Sequence, residues 1–267
     1  MRIINIYVLG VLFIGVSCAM AQENVDSLNN IAQQSGGVVD KVQADELYSN
    51  GKFQEAALIY EQILEEQGVS PFVYYNLGNC YYKTSEWGKA ILNYERALLL
   101  KPGDSDIRFN LELAKSKTID KIAPLRELFF VTWAKDFANL LSADGWAKWA
   151  IGLFIVFVCS LSVYLFCNKM ALRKCGFSFA IISLLCCVIA NFSAKYQADI
   201  SKNRENAIVM RPSITVKSTS DKSGTDLFVL HEGCKVTIKD VSMREWKEIR
   251  LADGNVGWIP ADALEII

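Results

Sequence analysis

Histidine is almost absent from this chain, and several kinds of catalytic motif are missing. The only histidine is His231, which argues against a histidine-based metal site or catalytic triad. The sequence has no phosphate-binding loop, no metal-ligand cluster and no signature of a serine or cysteine nucleophile. The net charge is −1 with no basic tract, which argues against a nucleic-acid partner. We therefore expect a protein that is not an enzyme and has no cofactor.

The eight cysteines form no CxxC motif, although their number suggests thiol chemistry. Cys18 lies in an N-terminal apolar run, and five others lie in later apolar runs (Cys159, Cys167, Cys175, Cys186 and Cys187). Cys80 and Cys234 are left in the other segments. We expect Cys80 to be a small buried apolar residue. A thiol-based redox function is the alternative, and it requires Cys80 or Cys234 to be exposed and reactive.

The 52% content of hydrophobic residues predicts membrane segments, and the N-terminus looks like an export signal. Residues 1–21 contain Arg2, then an apolar run over 3–16, then Ala-Met-Ala at 19–21. This order is typical of a secretory signal peptide that is cleaved after residue 21. Lipidation at Cys18 and an uncleaved anchor are the alternatives.

Two later apolar runs, 149–167 and 175–194, are each long enough to cross the ~30 Å core of a bilayer as a helix. A buried hairpin of a soluble domain is the alternative. The turn between them, 168–174, carries three positive charges, which favour the cytoplasmic side. An exported N-terminus and two crossings then place both flanking segments outside the cytoplasm, in the periplasm.

The segment 124–146, just before the first of these runs, is rich in aromatic residues. Trp133, Phe137 and Trp146 are interspersed with charged residues such as Lys135. The pattern predicts an amphipathic helix at the level of the lipid headgroups, where tryptophan is enriched. A helix that binds a protein partner is the alternative.

Residues 71–104 resemble a tetratricopeptide repeat. The positions that carry the resemblance are Tyr74, Leu77, Gly78, Tyr81, Ala90, Tyr94, Ala97 and Pro102. Aligning the preceding block 37–70 with this repeat pairs Tyr48 with Tyr82 and Tyr60 with Tyr94, so 37–70 is predicted to be a first, degraded repeat. The following apolar stripe at Ile107, Leu111 and Ala114 predicts a cap helix that ends the repeat region near residue 118.

The resemblance implies a helical solenoid whose concave surface binds a protein partner. The residues at the corresponding inner positions are Lys41, Asp45, Tyr48, Tyr75, Asn76, Asn79, Tyr82 and Asn110. Asparagine amides pair with the polar groups of a peptide backbone, and tyrosines supply rigid contact area. Ordinary surface polarity is the alternative for each of them.

Residues 205–267 change to an alternating pattern with about five short strands, which predicts a small barrel. Gly233, Trp246, Gly257, Trp258 and Pro260 resemble the pattern of bacterial SH3 domains. The alternation predicts a core of Val236, Ile238, Ile249, Leu251 and Ile259. The resemblance implies a ligand face with Trp246 and Pro260. Trp258 is the third candidate residue of this face, and we expect both tryptophans to be exposed. Tryptophans that only cover the barrel are the alternative.

The predicted fold is therefore multidomain: an all-α tetratricopeptide repeat solenoid, a two-helix transmembrane hairpin and a C-terminal all-β SH3-like small barrel. This order resembles the BatE family, the repeat proteins of the bacterial Bat aerotolerance operon. The resemblance implies a scaffold in the bacterial inner membrane whose partners are other Bat membrane proteins with von Willebrand A-type domains. A cell-envelope protein whose SH3-like domain binds peptidoglycan is the alternative.

Overall fold

Two helices joined by a short turn make up the described part of the first unit of the chain. The computed structural model describes residues 41–202, 205–240 and 243–267, so the predicted signal segment 1–21 lies outside the described residues. The chain divides at Gly68 into two units. In the first, helix α1 covers 41–49 and helix α2 covers Phe53–Gln67. Ala44, Ala56, Ala57, Tyr60 and Ile63 are its buried apolar residues.

The second unit begins with the helices predicted from the repeat pattern. Its helices are α3 (Pro71–Lys83), α4 (Trp87–Leu100), α5 (Ser105–Lys115), α6 (Phe129–Ala138), α7 (Ala143–Phe166) and α8 (Met170–Lys202). Gly78 is required where α3 meets α4, because a Cβ there would lie 2.7 Å from the Tyr94 ring. Asp104 caps α5 by accepting hydrogen bonds from the backbone N–H groups of Asp106 (3.0 Å) and Ile107 (3.2 Å). Helix α5 therefore follows the segment 71–104 directly, and its residues Ile107, Leu111 and Ala114 are buried.

The interfacial helix predicted over 124–146 is a shorter helix followed by a break. Residues 116–128 are not helical, α6 covers ten residues, and α7 starts at Ala143. Ser142 accepts a hydrogen bond from the N–H of Gly145 (3.3 Å) and so begins a new helix. The aromatic pattern indicated an amphipathic helix, but it did not show this cap.

Helices α7 and α8 are both long and apolar enough to cross a membrane. They pack against each other, and only residues 167–169 connect them. Helix α7 begins before the predicted apolar run 149–167 and ends one residue before its end, and α8 extends beyond the predicted run 175–194 on both sides. With 33 residues, α8 is about 50 Å long.

Residues 205–267 form an antiparallel sheet in the order β3-β2-β6-β5-β4-β1-β7. Its strands are β1 (Asn206–Val209), β2 (Ser213–Lys217), β3 (Asp226–His231), β4 (Lys235–Asp240), β5 (Trp246–Arg250), β6 (Val256–Pro260) and β7 (Leu264–Ile266). All five predicted core residues are buried. The prediction of five strands was wrong, because the sheet has seven. Within the described strands the order is open, with β3 and β7 at the edges, so the predicted closure into a barrel is not observed.

The two helical hairpins share an unusual backbone conformation at equivalent positions of their turns. Gly51 has φ = 78°, and Ser85, which occupies the same position of the next repeat, has φ = 64°. Positive φ is favourable for glycine but strained for serine, because the Cβ atom approaches the backbone. Ser85 is therefore a locally unfavourable residue at a turn that the fold requires.

We expect Ser85→Gly to raise the free energy of unfolding by about 1 kcal/mol, because glycine removes the steric cost of this conformation. Gly51→Ser is the matched variant and should lower it by a similar amount. Thermal unfolding of the full chain in detergent, followed by helical circular dichroism, measures both changes. A loss of stability in Ser85→Gly would contradict this account of the turn.

Candidate protein-binding site

The candidate residues of the first unit contact one another and a tyrosine of α2. The Lys41 ammonium lies 2.7 Å from the Asp45 carboxylate, and the Tyr60 hydroxyl donates a hydrogen bond to the same carboxylate. Burial opposes ionisation of Asp45, but these two hydrogen bonds lower its pKa below the ordinary value of 3.8. Tyr48 packs edge-on against Phe53, with ring centroids 5.1 Å apart.

The candidate residues of the second unit repeat this arrangement. The Tyr94 hydroxyl donates to the side-chain oxygen of Asn79 (2.7 Å), just as Tyr60 donates to Asp45. Tyr82 packs edge-on against Trp87 at 5.2 Å, as Tyr48 does against Phe53. Both pairs are related by the period of the repeat, so the repeat is visible in side-chain contacts as well as in the sequence.

Asn79 and Asn110 connect three helices. The Asn110 amide donates to the side-chain oxygen of Asn79 (2.9 Å) and to the Tyr75 hydroxyl (3.0 Å). Together with the bond from Tyr94, this network holds α3, α4 and α5 together. The polar groups that were predicted to meet a ligand backbone are therefore used within the fold. The half-buried Asn76 lies on the same helix as Asn79.

Two exposed apolar residues of α5 lie at the positions that follow Tyr75 and Asn79 by one repeat period. Phe109 is 69% exposed and Leu113 is 38% exposed. One period of the repeat separates Phe109 from Tyr75, and the same period separates Leu113 from Asn79. Sequence reasoning missed both residues, although a further step of the same period would have found them. They give the second unit an apolar surface beside the asparagine network.

The strand register brings the three candidate residues of the sheet onto one face. Trp246 is paired with Pro260, and Glu248 is paired with Trp258 two residues further along. Residues two apart on a strand share a face, so Trp246, Trp258 and Pro260 lie on the same side. Both tryptophans are half-buried rather than exposed as predicted.

An ionic cluster around a buried carboxylate, which the sequence did not reveal, holds the sheet against the repeat. Glu95 of α4 is 7% exposed, and its carboxylate lies 2.7 Å from the ammonium of Lys235 in β4 and 3.2 Å from that of Lys115 in α5. Burial opposes ionisation of Glu95, but attraction to Lys235 and Lys115 outweighs it and lowers the pKa below its ordinary value of 4.5. Burial likewise disfavours the Lys115 ammonium, yet Glu95 and Glu112 raise its pKa above 10.5.

Further contacts surround this cluster, which we call the Glu95 clasp (Glu95, Lys115 and Lys235). Arg96 donates to the Glu265 carboxylate (3.0 Å) and to the backbone oxygen of Ile266 (2.6 Å). Asp120 accepts a hydrogen bond from the backbone N–H of His231 (2.6 Å) and lies 2.9 Å from its ring Nδ1. His231 therefore helps to join the sheet to the segment after α5.

Close packing accompanies these polar contacts. A Cβ added at Gly233, where φ is +83°, would lie 2.6 Å from Thr118 and 2.9 Å from Ile91 of α4. Ile122 packs against the core of the sheet, and the N–H of Leu125 donates to the oxygen of Ala252 (3.0 Å). The repeat, the connecting segment and the sheet thus share one continuous interface.

Hydrogen bonds also connect the segment after α6 to the start of α7 and the end of α8, the two long apolar helices. The indole N–H of Trp146 in α7 and the side-chain amide of Gln197 in α8 both donate to the backbone oxygen of Ala138, at 2.8 and 2.9 Å. Gln197 also donates to Asn139 (2.8 Å). A Cβ on Gly103, at the end of the repeat, would lie 2.3 Å from the oxygen of Leu140. The start of α7 and the end of α8 therefore meet beside the repeat.

A model of the tetratricopeptide repeat family matches residues 71–104, the segment that forms α3 and α4. The chain contains a tetratricopeptide repeat. The first repeat, 37–70, remains a prediction that the shared contacts of Asp45 and Tyr60 support. No curated protein matches the chain. Repeats of this kind are protein-interaction modules, which makes the surface of this repeat the candidate site.

The thiols required by the redox alternative are buried. Cys80 is 0% exposed and Cys234 is 7% exposed. Burial raises the pKa of the Cys234 thiol to about 12, and the negative charges of Asp120 and Asp253 add to the effect. A thiol of this kind is a poor nucleophile at neutral pH. The part of the chain that the structure describes contains no group of three histidine, cysteine or acidic side chains able to hold a metal ion.

The Glu95 clasp makes a specific prediction about stability. Glu95→Gln leaves two ammonium groups facing a neutral amide, so we expect the free energy of unfolding to fall by about 2 kcal/mol at neutral pH. Glu112→Gln, which removes only the exposed partner of Lys115, should cost less than about 0.5 kcal/mol. Denaturant titration of the full chain in detergent measures both variants.

The pH dependence follows from the lowered pKa of Glu95. A group whose pKa is depressed in the folded state stabilises the fold above its ordinary pKa and loses that contribution as the pH falls. The difference between wild type and Glu95→Gln should therefore be fully present at neutral pH and shrink below about pH 4.5. Equal losses in the two glutamine variants, or no change of the difference with pH, would contradict the assignment.

Proposed function

We propose that this chain is a non-enzymatic membrane adaptor whose repeat region binds a protein partner. The observation that supports it best is that one unit joins a tetratricopeptide repeat to two helices of membrane-spanning length. Phe109 and Leu113 offer exposed apolar area on α5, whose Asn110 contacts Tyr75 of the repeat. Because Asn79 and Asn110 are used internally, these apolar side chains supply the affinity and the network supplies a rigid support.

Membrane insertion is supported by the small buried fraction of the two helices. In the most apolar part of α7 only 6% of the residues are buried, and in that of α8 28% are. The core helices of a soluble protein would be mostly buried. Since the repeat and the sheet contact each other, and both hairpin ends meet at Ala138, a hairpin that spans the membrane leaves both domains on one side.

We place that side in the periplasm and the membrane in the bacterial inner membrane. The export signal over 1–21 and the positive charges of Lys169, Arg173 and Lys174 at the opposite end of the hairpin support this orientation. The order of segments favours a component of a Bat aerotolerance complex, with von Willebrand A-type Bat proteins as partners. In such a complex the adaptor would act in tolerance of oxidative stress.

Peptidoglycan binding through the sheet is the second candidate. The observation that favours it is the alignment of Trp246, Trp258 and Pro260 on one face. Aromatic faces of this kind can stack on apolar surfaces of a ligand. The two candidates differ in the surface they use: α5 of the repeat region for a protein partner, and the sheet for cell wall.

We expect Phe109→Asp to reduce co-purification with co-expressed von Willebrand A-type Bat proteins about tenfold, because aromatic residues dominate interface energies. The control is Ile119→Asp, which changes a residue that is 70% exposed but lies outside the helices of the repeat region. Quantitative pull-down from detergent-solubilised membranes measures both. Equal retention of the partners by Phe109→Asp and wild type, or sedimentation of the chain with purified cell wall that is lost in Trp246→Ala, would contradict the adaptor proposal.

We expect alkaline phosphatase fused after Ile267 to be active, because that enzyme folds only outside the cytoplasm. A fusion after Lys169, in the connection between α7 and α8, should be inactive. Enzymatic activity normalised to the amount of fusion protein measures both. The opposite pattern would place the repeat and the sheet in the cytoplasm.

A further inference from the structure

We infer that the exposed side of α7 carries a binding site for one anionic phospholipid. Lys148, Trp149, Gly152, Leu153 and Val156 line a shallow depression of about 390 Å³, which we call the Lys148 groove. The inference rests on the part of the proposed function that places α7 in a membrane. It does not depend on which protein the repeat binds.

The shape of the Lys148 groove follows from the helical spacing of its residues. Residues 148, 152 and 156 are four apart, so they lie on one face and cover about 12 Å along the axis. Gly152 opens the middle, because a Cβ built there meets no atom within 4 Å. Trp149 (60% exposed) and Val156 (48% exposed) project beside Gly152 in the Lys148 groove. The result is a slot parallel to the helix, which is the direction of an acyl chain in a bilayer.

The charge of the groove is found at one end. Lys148 is exposed and immediately precedes the charge-free run 149–167. In the described part of the chain no carboxylate forms an ion pair with it, and the nearest acid along the helix, Asp144, does not pair with it either. A cation at the boundary of the apolar region, followed by an apolar slot, matches a phospholipid whose anionic phosphate lies at Lys148.

The position of the groove within the unit supports a lipid occupant. Trp146 and Ala150 pack with Cys187 and Ala190 of α8, and Leu153, at the edge of the groove, packs against the same cluster. The groove thus lies beside the contact with α8, and its exposed residues Lys148, Trp149 and Val156 face the surrounding medium. Trp149 lies at the depth where tryptophan is enriched in membrane proteins, at the edge of the hydrocarbon region.

Native mass spectrometry of the full chain in detergent, with added phosphatidylglycerol or phosphatidylcholine, tests the site. We expect wild type to bind one phosphatidylglycerol in preference to phosphatidylcholine. Lys148→Gln should weaken phosphatidylglycerol binding about fivefold and leave phosphatidylcholine unchanged. Gly152→Leu fills the slot without a clash and should weaken both. Lys169→Gln, which removes an exposed cation at the opposite end of the hairpin, is the control and should bind as wild type does.

Two results would overturn the inference. The first is phosphatidylglycerol binding by Lys148→Gln and Gly152→Leu at the wild-type level. The second is a dimer in the wild-type spectra that Gly152→Leu abolishes while its lipid binding stays unchanged, which would make a membrane helix of a second copy the occupant. Because lipid binding is measured without any protein partner, failure here is distinguishable from failure of the adaptor proposal.

Discussion

The carboxylate of Glu95 lies buried between two ammonium groups from different elements, Lys115 at the end of α5 and Lys235 at the start of β4. A buried charge is costly unless it is paired, so this geometry favours only the arrangement in which repeat, cap helix and sheet meet. Arg96 and Asp120 add bonds to Ile266 and His231 at two further points of the same interface. The second unit is thereby one body rather than a string of independent modules.

This body explains how a single matched repeat can serve as a functional part. An isolated repeat cannot bury its own apolar faces, and solenoids normally solve this by stacking several copies. Here α5 covers one side of the repeat and the sheet packs against α4. The hydrogen bonds of Trp146 and Gln197 to Ala138 then fix the body to the hairpin. The surface with Phe109 is held at a set place relative to α7 and α8.

The sequence predicted those helices and strands whose residues follow a regular local spacing. The repeat pattern with Gly78 and Tyr94 identified α3 and α4, the apolar stripe from Ile107 to Ala114 identified α5, and alternation identified the core of the sheet around Ile249 and Ile259. The sheet has two strands more than predicted, and the shortest strand, β7, has three residues, which is too few to show a period of two.

The tertiary contacts were not predictable in the same way. Glu95 and Lys235 are 140 residues apart, and nothing in either local sequence marks them as partners. Asn79 and Asn110 were predicted to bind a ligand. The sequence shows that these residues are asparagines, but it does not show whether the amide faces solvent or bridges two helices. The difference lies in the Tyr75 and Tyr94 hydroxyls, which become their neighbours only after the helices pack.

The central claim, that sheet and repeat form one body, is tested most directly by hydrogen exchange of the full chain in bilayer nanodiscs. Lys235→Ala changes a residue of β4, yet the account predicts faster amide exchange in α4 and α5, where Glu95 and Lys115 lie. Lys239→Ala, an exposed lysine on the same strand, should leave those helices unchanged. Faster exchange confined to the sheet in Lys235→Ala would contradict the account.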